Sequence, residues 1–152
     1  MNTLSYSILE DKYITPDIAP FKPVIDGKKL KLAIEPAGLE YSYYNEGLAP
    51  ILTCTSCNMI DHDGAYVEVE HTEDKIIWKS AYDSFGFEEG DKEHKVLDWK
   101  TDAGVDITLP LIFDKKQYKE TIDYLLKEPL FIKQKGDYLH KKEMYEKGNI
   151  IG

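Results

Sequence analysis

The stretch between Ala65 and Tyr82 constrains the fold most strongly, because its apolar and charged residues alternate with a period of two. The alternation is visible in VEVE at 67–70 and in KIIWK at 75–79, and HTED at 71–74 has the chemistry of a turn. Such alternation is typical of strands with one buried and one solvated face. The stretch therefore predicts an antiparallel β-hairpin with an apolar and a charged face, and Trp78 on the apolar face is predicted to be core.

Two segments nearer the N-terminus also have strand-like patterns. The first is LSYSILE at 4–10, and the second is KLKLAIE at 29–35, in which Leu30, Leu32 and Ile34 fall on one face. We expect a strand in each, the second ending at Pro36 and Gly38. Three prolines within residues 16–23 predict an extended or looping course between them.

The C-terminal half predicts two further strands, Val96–Trp99 and Val105–Phe113. Pro110 cannot donate a hydrogen bond to a ladder, so the second of these is expected at a sheet edge or at a bulge.

Helix signals follow directly after these strands. Asp114 is a candidate N-cap with Gln117 three residues on, and the helix should end before Pro129. Its apolar stripe has helical spacing and consists of Tyr118, Ile122, Leu125 and Leu126. A second helix is predicted over Tyr138–Lys147, ahead of Gly148.

Together these elements predict an α+β fold, with a mostly antiparallel sheet that contains a central β-hairpin and is covered by one or two C-terminal helices. The chain has 152 residues, of which 42% are hydrophobic. That length and composition suit one core, so residues 1–152 are expected to form a single domain.

The charge of the chain argues against a nucleic-acid partner, and the length of its apolar runs argues against a membrane span. Asp and Glu number 28 against 19 basic residues, which gives a net charge of −9, and every basic residue is Lys. A protein that binds a nucleic-acid backbone needs concentrated positive charge. The lack of Arg also removes bidentate contacts to phosphate and guanine. No apolar run approaches a membrane span of about 20 residues, and no signal peptide is evident, so we expect a cytoplasmic protein.

A CxxC pair, Cys54 and Cys57, leaves three interpretations open. A thioredoxin-like pair would precede a helix, whereas the residues that follow here are typical of a loop entering a strand. A zinc site would need four ligands, which His62 and His71 would complete. The third interpretation is two small buried thiols near a sheet edge.

Other candidate chemistry is less well supported by the residue spacing. Asp61-His62-Asp63-Gly64 is typical of a turn, and a calcium loop would need a Glu at its twelfth position. We find no nucleophile elbow and no phosphate-binding glycine loop, so an enzyme is not favoured and no cofactor is expected. The tyrosines at positions 41, 43 and 44 suit either core packing or an interface.

The blocks LAPILTCTSCNMIDHDGAYVEVEHTEDKIIWKSAY and ITLPLIFDKKQYKETIDYLL support a resemblance that covers about residues 48–126. They resemble small bacterial cytoplasmic proteins of the immunity-protein type, which belong to toxin–immunity systems. In that group a Cys-containing segment precedes a Val-rich hairpin with a Trp, and a Phe-Asp-x-x-x-Tyr segment leads from strand to helix. The resemblance implies a binding protein that neutralises a toxin.

We therefore expect an acidic, non-enzymatic module that binds a basic protein partner, a cognate toxin, and occludes its active surface. Acidic surfaces steer basic partners and raise their encounter rate. The expected contact residues are the carboxylates of the hairpin and of the loop that follows it, namely Glu68, Glu70, Glu73, Asp74, Glu88, Glu89 and Asp91. The alternative is a small zinc- or thiol-dependent protein that uses Cys54 and Cys57.

Overall fold

The computed structural model describes residues 1–8, 19–54, 64–83, 95–133 and 135–150. The strands in these ranges are β1 (Leu4–Ile8), β2 (Phe21–Ile25), β3 (Lys28–Lys29), β4 (Ala33–Ile34), β5 (Gly47–Thr53), β6 (Ala65–His71), β7 (Lys75–Asp83) and β8 (Leu111–Asp114). The helices are α1 (Pro36–Tyr44), α2 (Trp99–Asp102), α3 (Lys115–Leu126), α4 (Pro129–Lys133) and α5 (Lys135–Glu146). None of these helices has the length and apolar character needed to cross a membrane.

The strands form two sheets whose paired strands all run antiparallel. One sheet has the order β1-β2-β3, and the other has the order β4-β5-β6-β7-β8. Residues from both sheets and from α3, α4 and α5 share one cluster of buried side chains. The predicted α+β class, with a mostly antiparallel sheet and C-terminal helices against it, is confirmed.

The β6–β7 hairpin lies in the middle of the five-stranded sheet, as the alternating pattern predicted. Its register runs from Ala65 opposite Asp83 to His71 opposite Ile76, with a shift between Glu68 and Val69. On the inner face, Trp78 is fully buried, and its ring lies 5.0 Å from that of Phe113 in an edge arrangement. The hairpin thus supplies the centre of the core.

Asn2 joins the first sheet to the edge strand of the second. It forms a parallel bridge with Phe113; its backbone N–H donates to the carbonyl of Ile112 at 2.7 Å. The side-chain Oδ1 of Asn2 in turn accepts from the N–H of Ile112 at 2.7 Å. The outer edge of β8 is therefore paired at this point.

The prediction of one strand over Lys29–Glu35 is wrong. Residues 28–29 pair with β2 in the small sheet, whereas residues 33–34 pair with β5 in the large one. Between the two strands the backbone bends, and the N–H of Lys31 donates to the carbonyl of Ala103 at 2.8 Å. Because Leu32 and Ala33 are both buried, the segment does not keep a strand's two-faced alternation.

The strand ends before Pro36, as predicted, but the helix α1 that begins there was not predicted. Proline suits the first turn of a helix, because the N–H that it lacks would have no partner there. Gly38 lies inside α1, where a Cβ would approach the carbonyl oxygen of Pro50 to 1.8 Å. The missing side chain therefore lets α1 lie directly on β5.

The two C-terminal strand predictions are only partly correct. Val96 makes an isolated bridge to Tyr82, but Val96–Trp99 forms no strand, and Asp98 instead caps α2 through its carboxylate. In Val105–Phe113 the strand begins only at Leu111, directly after Pro110. This strand, β8, lies at the edge of the large sheet, as predicted for a segment with a proline.

Asp114 caps α3 as predicted, because its Oδ2 accepts from the N–H of Gln117 at 3.0 Å. The side chain of Gln117 does not complete a capping box; its Nε2 donates to the carbonyl of Leu4 at 2.6 Å and so ties α3 to β1. The helix ends at Leu126, before Pro129. The second predicted helix is present as α5, starting three residues earlier than expected, and α4 was not predicted.

Candidate functional site

The structure describes four of the seven predicted contact carboxylates. Glu68 and Glu70 lie on β6, and Glu73 and Asp74 lie in the turn between β6 and β7. The other three, Glu88, Glu89 and Asp91, lie outside the described residues.

Strand alternation places Glu68 and Glu70 on the outer face of the hairpin. Their neighbours Val67 and Val69 are buried, whereas Glu68 is half-buried and Glu70 is exposed. The hydroxyl of Tyr82 donates to Glu68 at 3.4 Å. Glu70 is therefore the more available of the two carboxylates for a partner.

The turn is held by hydrogen bonds that leave its carboxylates in solvent. The backbone N–H of Thr72 donates to the carbonyl of Lys75 at 3.0 Å, and the Thr72 hydroxyl accepts from the N–H of Lys75 at 3.0 Å. The hydrogen bond and the positive charge of the Lys75 ammonium, 3.0 Å away, lower the pKa of Asp74. Both Glu73 and Asp74 are exposed, so the tip of the hairpin presents two carboxylates.

The structure adds Glu46, which no sequence pattern singles out. Glu46 is exposed between α1 and β5, and its Oε1 accepts from the N–H of His71 at 2.8 Å. It comes beside the hairpin because Gly47 pairs with Val69 across the two strands. Only the pairing of β5 with β6 shows this proximity, and the sequence patterns did not predict that pairing.

These five carboxylates define what we call the acidic surface, which consists of Glu46, Glu68, Glu70, Glu73 and Asp74. Three lysines lie among them. The Nζ of Lys79 is 3.9 Å from Glu70, that of Lys75 is 3.0 Å from Asp74, and that of Lys115 donates to the turn carbonyl of Thr72. The acidic surface therefore has an acidic excess but also has cations. Solvent screens exposed ion pairs and leaves them weak, so a partner's cations can displace them at low cost.

A zinc site that unites Cys54 and His71 is incompatible with the register. Cys54 is buried just beyond Leu52, which pairs with Ala65 at the start of β6. His71 is at the other end of β6, so at a rise of about 3.3 Å per residue it is about 20 Å away. Zinc ligands lie about 2 Å from the ion. Instead, Nε2 of His71 is hydrogen-bonded to the carbonyl oxygen of Ser42 at 2.7 Å.

The remaining proposed ligands and the Asp61–Gly64 interpretation cannot be placed, since Cys57 and residues 61–63 lie outside the described residues. Among the side chains that the structure describes, no group of three or more His, Cys, Asp and Glu could hold a metal ion.

The tyrosine cluster divides between the two roles left open by the sequence. Tyr41 and Tyr43 are half-buried and pack against the core, whereas Tyr44 is 62% exposed. The ring of Tyr44 meets that of Tyr43 edge-on at 4.9 Å, and Tyr41 meets Tyr145 of α5 at 6.3 Å. One tyrosine of the cluster is thus available to a partner while the others hold α1 in place.

Comparison of the chain with protein-family models, with curated proteins and with solved structures gave no significant match.

Proposed function

We propose that this chain is a non-enzymatic, acidic protein-binding module of the cytoplasm that binds a basic protein partner through the acidic surface. The class of partner follows from the resemblance of residues 48–126 to immunity-type proteins. The partner is then a cognate bacterial toxin, whose active surface this chain occludes.

The observation that supports the proposal is that the two faces of the hairpin differ: one is buried in the core, and the other carries carboxylates. The inner face supplies Val67, Val69 and Trp78 to the core, so it is unavailable to a partner. The outer face exposes Glu70 and leaves Glu68 half-buried, the turn exposes two more carboxylates, and the fold adds Glu46 from a separate segment.

Electrostatics gives the proposal its expected kinetics. A net charge of −9 attracts a basic partner over a distance comparable to the Debye length, about 8 Å at physiological salt. A toxin that acts on nucleic acid is basic where it binds phosphate. An acidic partner that covers that region imitates the substrate's charge, and the association rate should fall as salt rises.

The test begins with the protein purified at low salt from its own host and analysed by native mass spectrometry. A basic protein at fixed stoichiometry identifies the partner for kinetic measurement. A bound zinc ion without a protein would instead favour the alternative that uses Cys54 and Cys57.

Charge reversal then locates the contact. We expect Glu70→Lys combined with Glu73→Lys to slow association with the identified partner and to flatten its salt dependence. The matched control replaces two exposed carboxylates elsewhere, Glu120 on α3 and Glu143 on α5, by Lys, which gives the same net charge. Equal slowing by both pairs would show that only the net charge matters. A wild-type association rate that does not change with salt would overturn the proposal.

A further inference from the structure

A cavity of about 350 Å³ opens between α1 and α5, with tyrosine rings on its walls. Tyr41 and Tyr44 come from α1, and Tyr145 comes from α5. We call it the tyrosine cavity. Its volume lies within the range of about 300–1,000 Å³ found for ligand pockets.

Two helices end at the tyrosine cavity. Tyr44 is the last residue of α1 and Glu146 is the last residue of α5, and both line the cavity. The end of a helix has a partial negative charge of roughly half an elementary charge, which basic residues in the last turn commonly offset. Neither α1 nor α5 has a basic residue in its last turn. At α5, however, Lys147 follows Glu146 directly, and the N–H groups of Gly148 and Asn149 donate to the last carbonyls, so the end of α1 favours a cation more than the end of α5 does.

The charged side chains on the walls also give a negative balance. Glu40 and Glu146 line the cavity together with one lysine, Lys142. The Nζ of Lys142 is 3.0 Å from Glu40 and lies 5.7 Å from the centre of the Tyr138 ring. Lys142 is thus already paired with Glu40, which leaves the Glu146 carboxylate and the two helix ends to act on an incoming group.

The tyrosines add attraction for a cation without adding charge of their own. The negative face of an aromatic ring attracts ammonium and guanidinium groups. Burial and the nearby carboxylate of Glu35 raise the pKa of Tyr145, so its hydroxyl stays neutral. Tyr44 lines the cavity and is exposed, and the Nζ of Lys119 already lies 6.0 Å from the centre of its ring, so a partner's cation must displace Lys119 or approach the other face of the ring.

We infer that the tyrosine cavity receives the side chain of a lysine or arginine presented by the partner protein. The inference deepens the proposed function and rests on it for the source of the cation. The cavity and the acidic surface are neighbours along the chain, because Glu46 follows the cavity residue Tyr44 by two positions and accepts from the N–H of His71 on the hairpin. A partner steered by the acidic surface would therefore meet the cavity at its rim.

The test uses Nα-acetyl-lysine methylamide and its arginine counterpart, titrated against the full chain with tyrosine-selective NMR. We expect saturable shifts of the cavity tyrosines at millimolar concentration. The neutral analogue Nα-acetyl-norleucine methylamide should give none. Norleucine binding as strong as lysine binding would overturn the inference, as would shifts with choline but with neither amino-acid probe.

Variants test the walls of the cavity. Tyr44→Leu should weaken the lysine probe about two- to fivefold, as expected for one exposed cation–π contact. The control Tyr124→Leu removes an equally exposed tyrosine of α3, and should leave binding unchanged. Lys142→Gln should tighten binding because it removes a like charge. Weaker binding in Lys142→Gln would identify an anion site and overturn the inference.

The two proposals can fail separately. Glu70→Lys with Glu73→Lys should slow the partner but leave binding of the lysine probe intact, since neither residue lines the cavity. Partner association that responds to these hairpin changes but not to Tyr44→Leu would overturn the cavity inference alone. If the lysine probe binds but the hairpin changes leave partner association unaltered, the proposed function is overturned instead.

Discussion

The buried carboxylate of Glu35 should make the stability of this protein depend on both Lys141 and pH. Glu35 directly precedes α1 and is 1% exposed, and the Nζ of Lys141 on α5 lies 2.5 Å from its Oε2. Burial raises the pKa of Glu35, and the charge of Lys141 opposes that rise. Replacing Lys141 by Met keeps most of the side-chain volume and removes the cation, so an ionised carboxylate is left where water is excluded.

The stability lost in Lys141→Met is limited, because Glu35 can take up a proton instead of staying ionised. An unfolded Glu has a pKa of about 4.3, and keeping it protonated costs about 1.36 kcal/mol per pH unit above that value. The loss of unfolding free energy caused by Lys141→Met therefore cannot exceed about 3.7 kcal/mol at pH 7 and about 1 kcal/mol at pH 5. The first figure agrees with the roughly 3–5 kcal/mol lost when a buried ion pair loses one partner.

Urea unfolding followed by tryptophan fluorescence at both pH values measures this loss. Because its pKa is higher in the folded state, Glu35 binds a proton more readily when folded than when unfolded. Its contribution is then most favourable at low pH and is lost as the pH rises above about 4.3. We expect Lys141→Met to be strongly destabilised at pH 7 and only slightly at pH 5, and Glu35→Gln in the same chain to restore most of the difference.

An equal loss at pH 5 and pH 7 would refute the reasoning, as would a double variant no more stable than Lys141→Met. The control is Lys147→Met, which breaks a pair with Glu143 at 2.8 Å in which both side chains are 66% exposed. Solvent screens an exposed pair of this kind, so this variant should change the stability little at either pH.

Two further predictions concern the packing of α1 and the core, and urea unfolding measures both. Gly38→Ala places a Cβ 1.8 Å from the carbonyl oxygen of Pro50 and should lower the stability by at least about 3 kcal/mol. The control Gly136→Ala, whose Cβ would have nothing within 4 Å, should instead raise the stability by up to about 1 kcal/mol. Equal effects of the two changes would contradict the close approach of α1 to β5. Tyr118→Phe removes a buried hydroxyl that hydrogen-bonds to the Ser42 hydroxyl at 2.6 Å and accepts from Nε1 of Trp78 at 3.3 Å, and should cost about 1–3 kcal/mol. A loss below about 0.5 kcal/mol would show that these two bonds together add little.

Elements with local signals were predictable from the sequence. The alternation in β6 and β7 and the cap at Asp114 depend on residues within a few positions of one another, and both are present in the structure. Pro36 and Gly38 correctly indicated the end of the strand, but they did not indicate the helix α1 that begins at Pro36. The need for glycine at position 38 is nonlocal, because a Cβ there would collide with the carbonyl oxygen of Pro50 on β5.

The candidate site shows the same division between local and nonlocal information. The outward placement of Glu70 follows from strand periodicity alone, and the exposure of Glu73 follows from turn chemistry. The proximity of Glu46 and the meeting of α1 with α5 at the tyrosine cavity depend on pairings between distant segments. No pattern within either segment specifies those pairings.

The link between Asn2 and β8 has a consequence for how the chain folds as it is made. The residues joined by this hydrogen bond are 110 positions apart. At about 5–20 residues per second, synthesis of the intervening chain takes about 5–22 s. Strand β7 ends at Asp83 and β8 begins at Leu111, 28 positions later, so for about 1.4–5.6 s of that time β7 has no β8 beside it, and its unpaired backbone can associate with other chains. Closing the sheet so late, through contacts so distant in sequence, should make folding slow and its yield dependent on protein concentration.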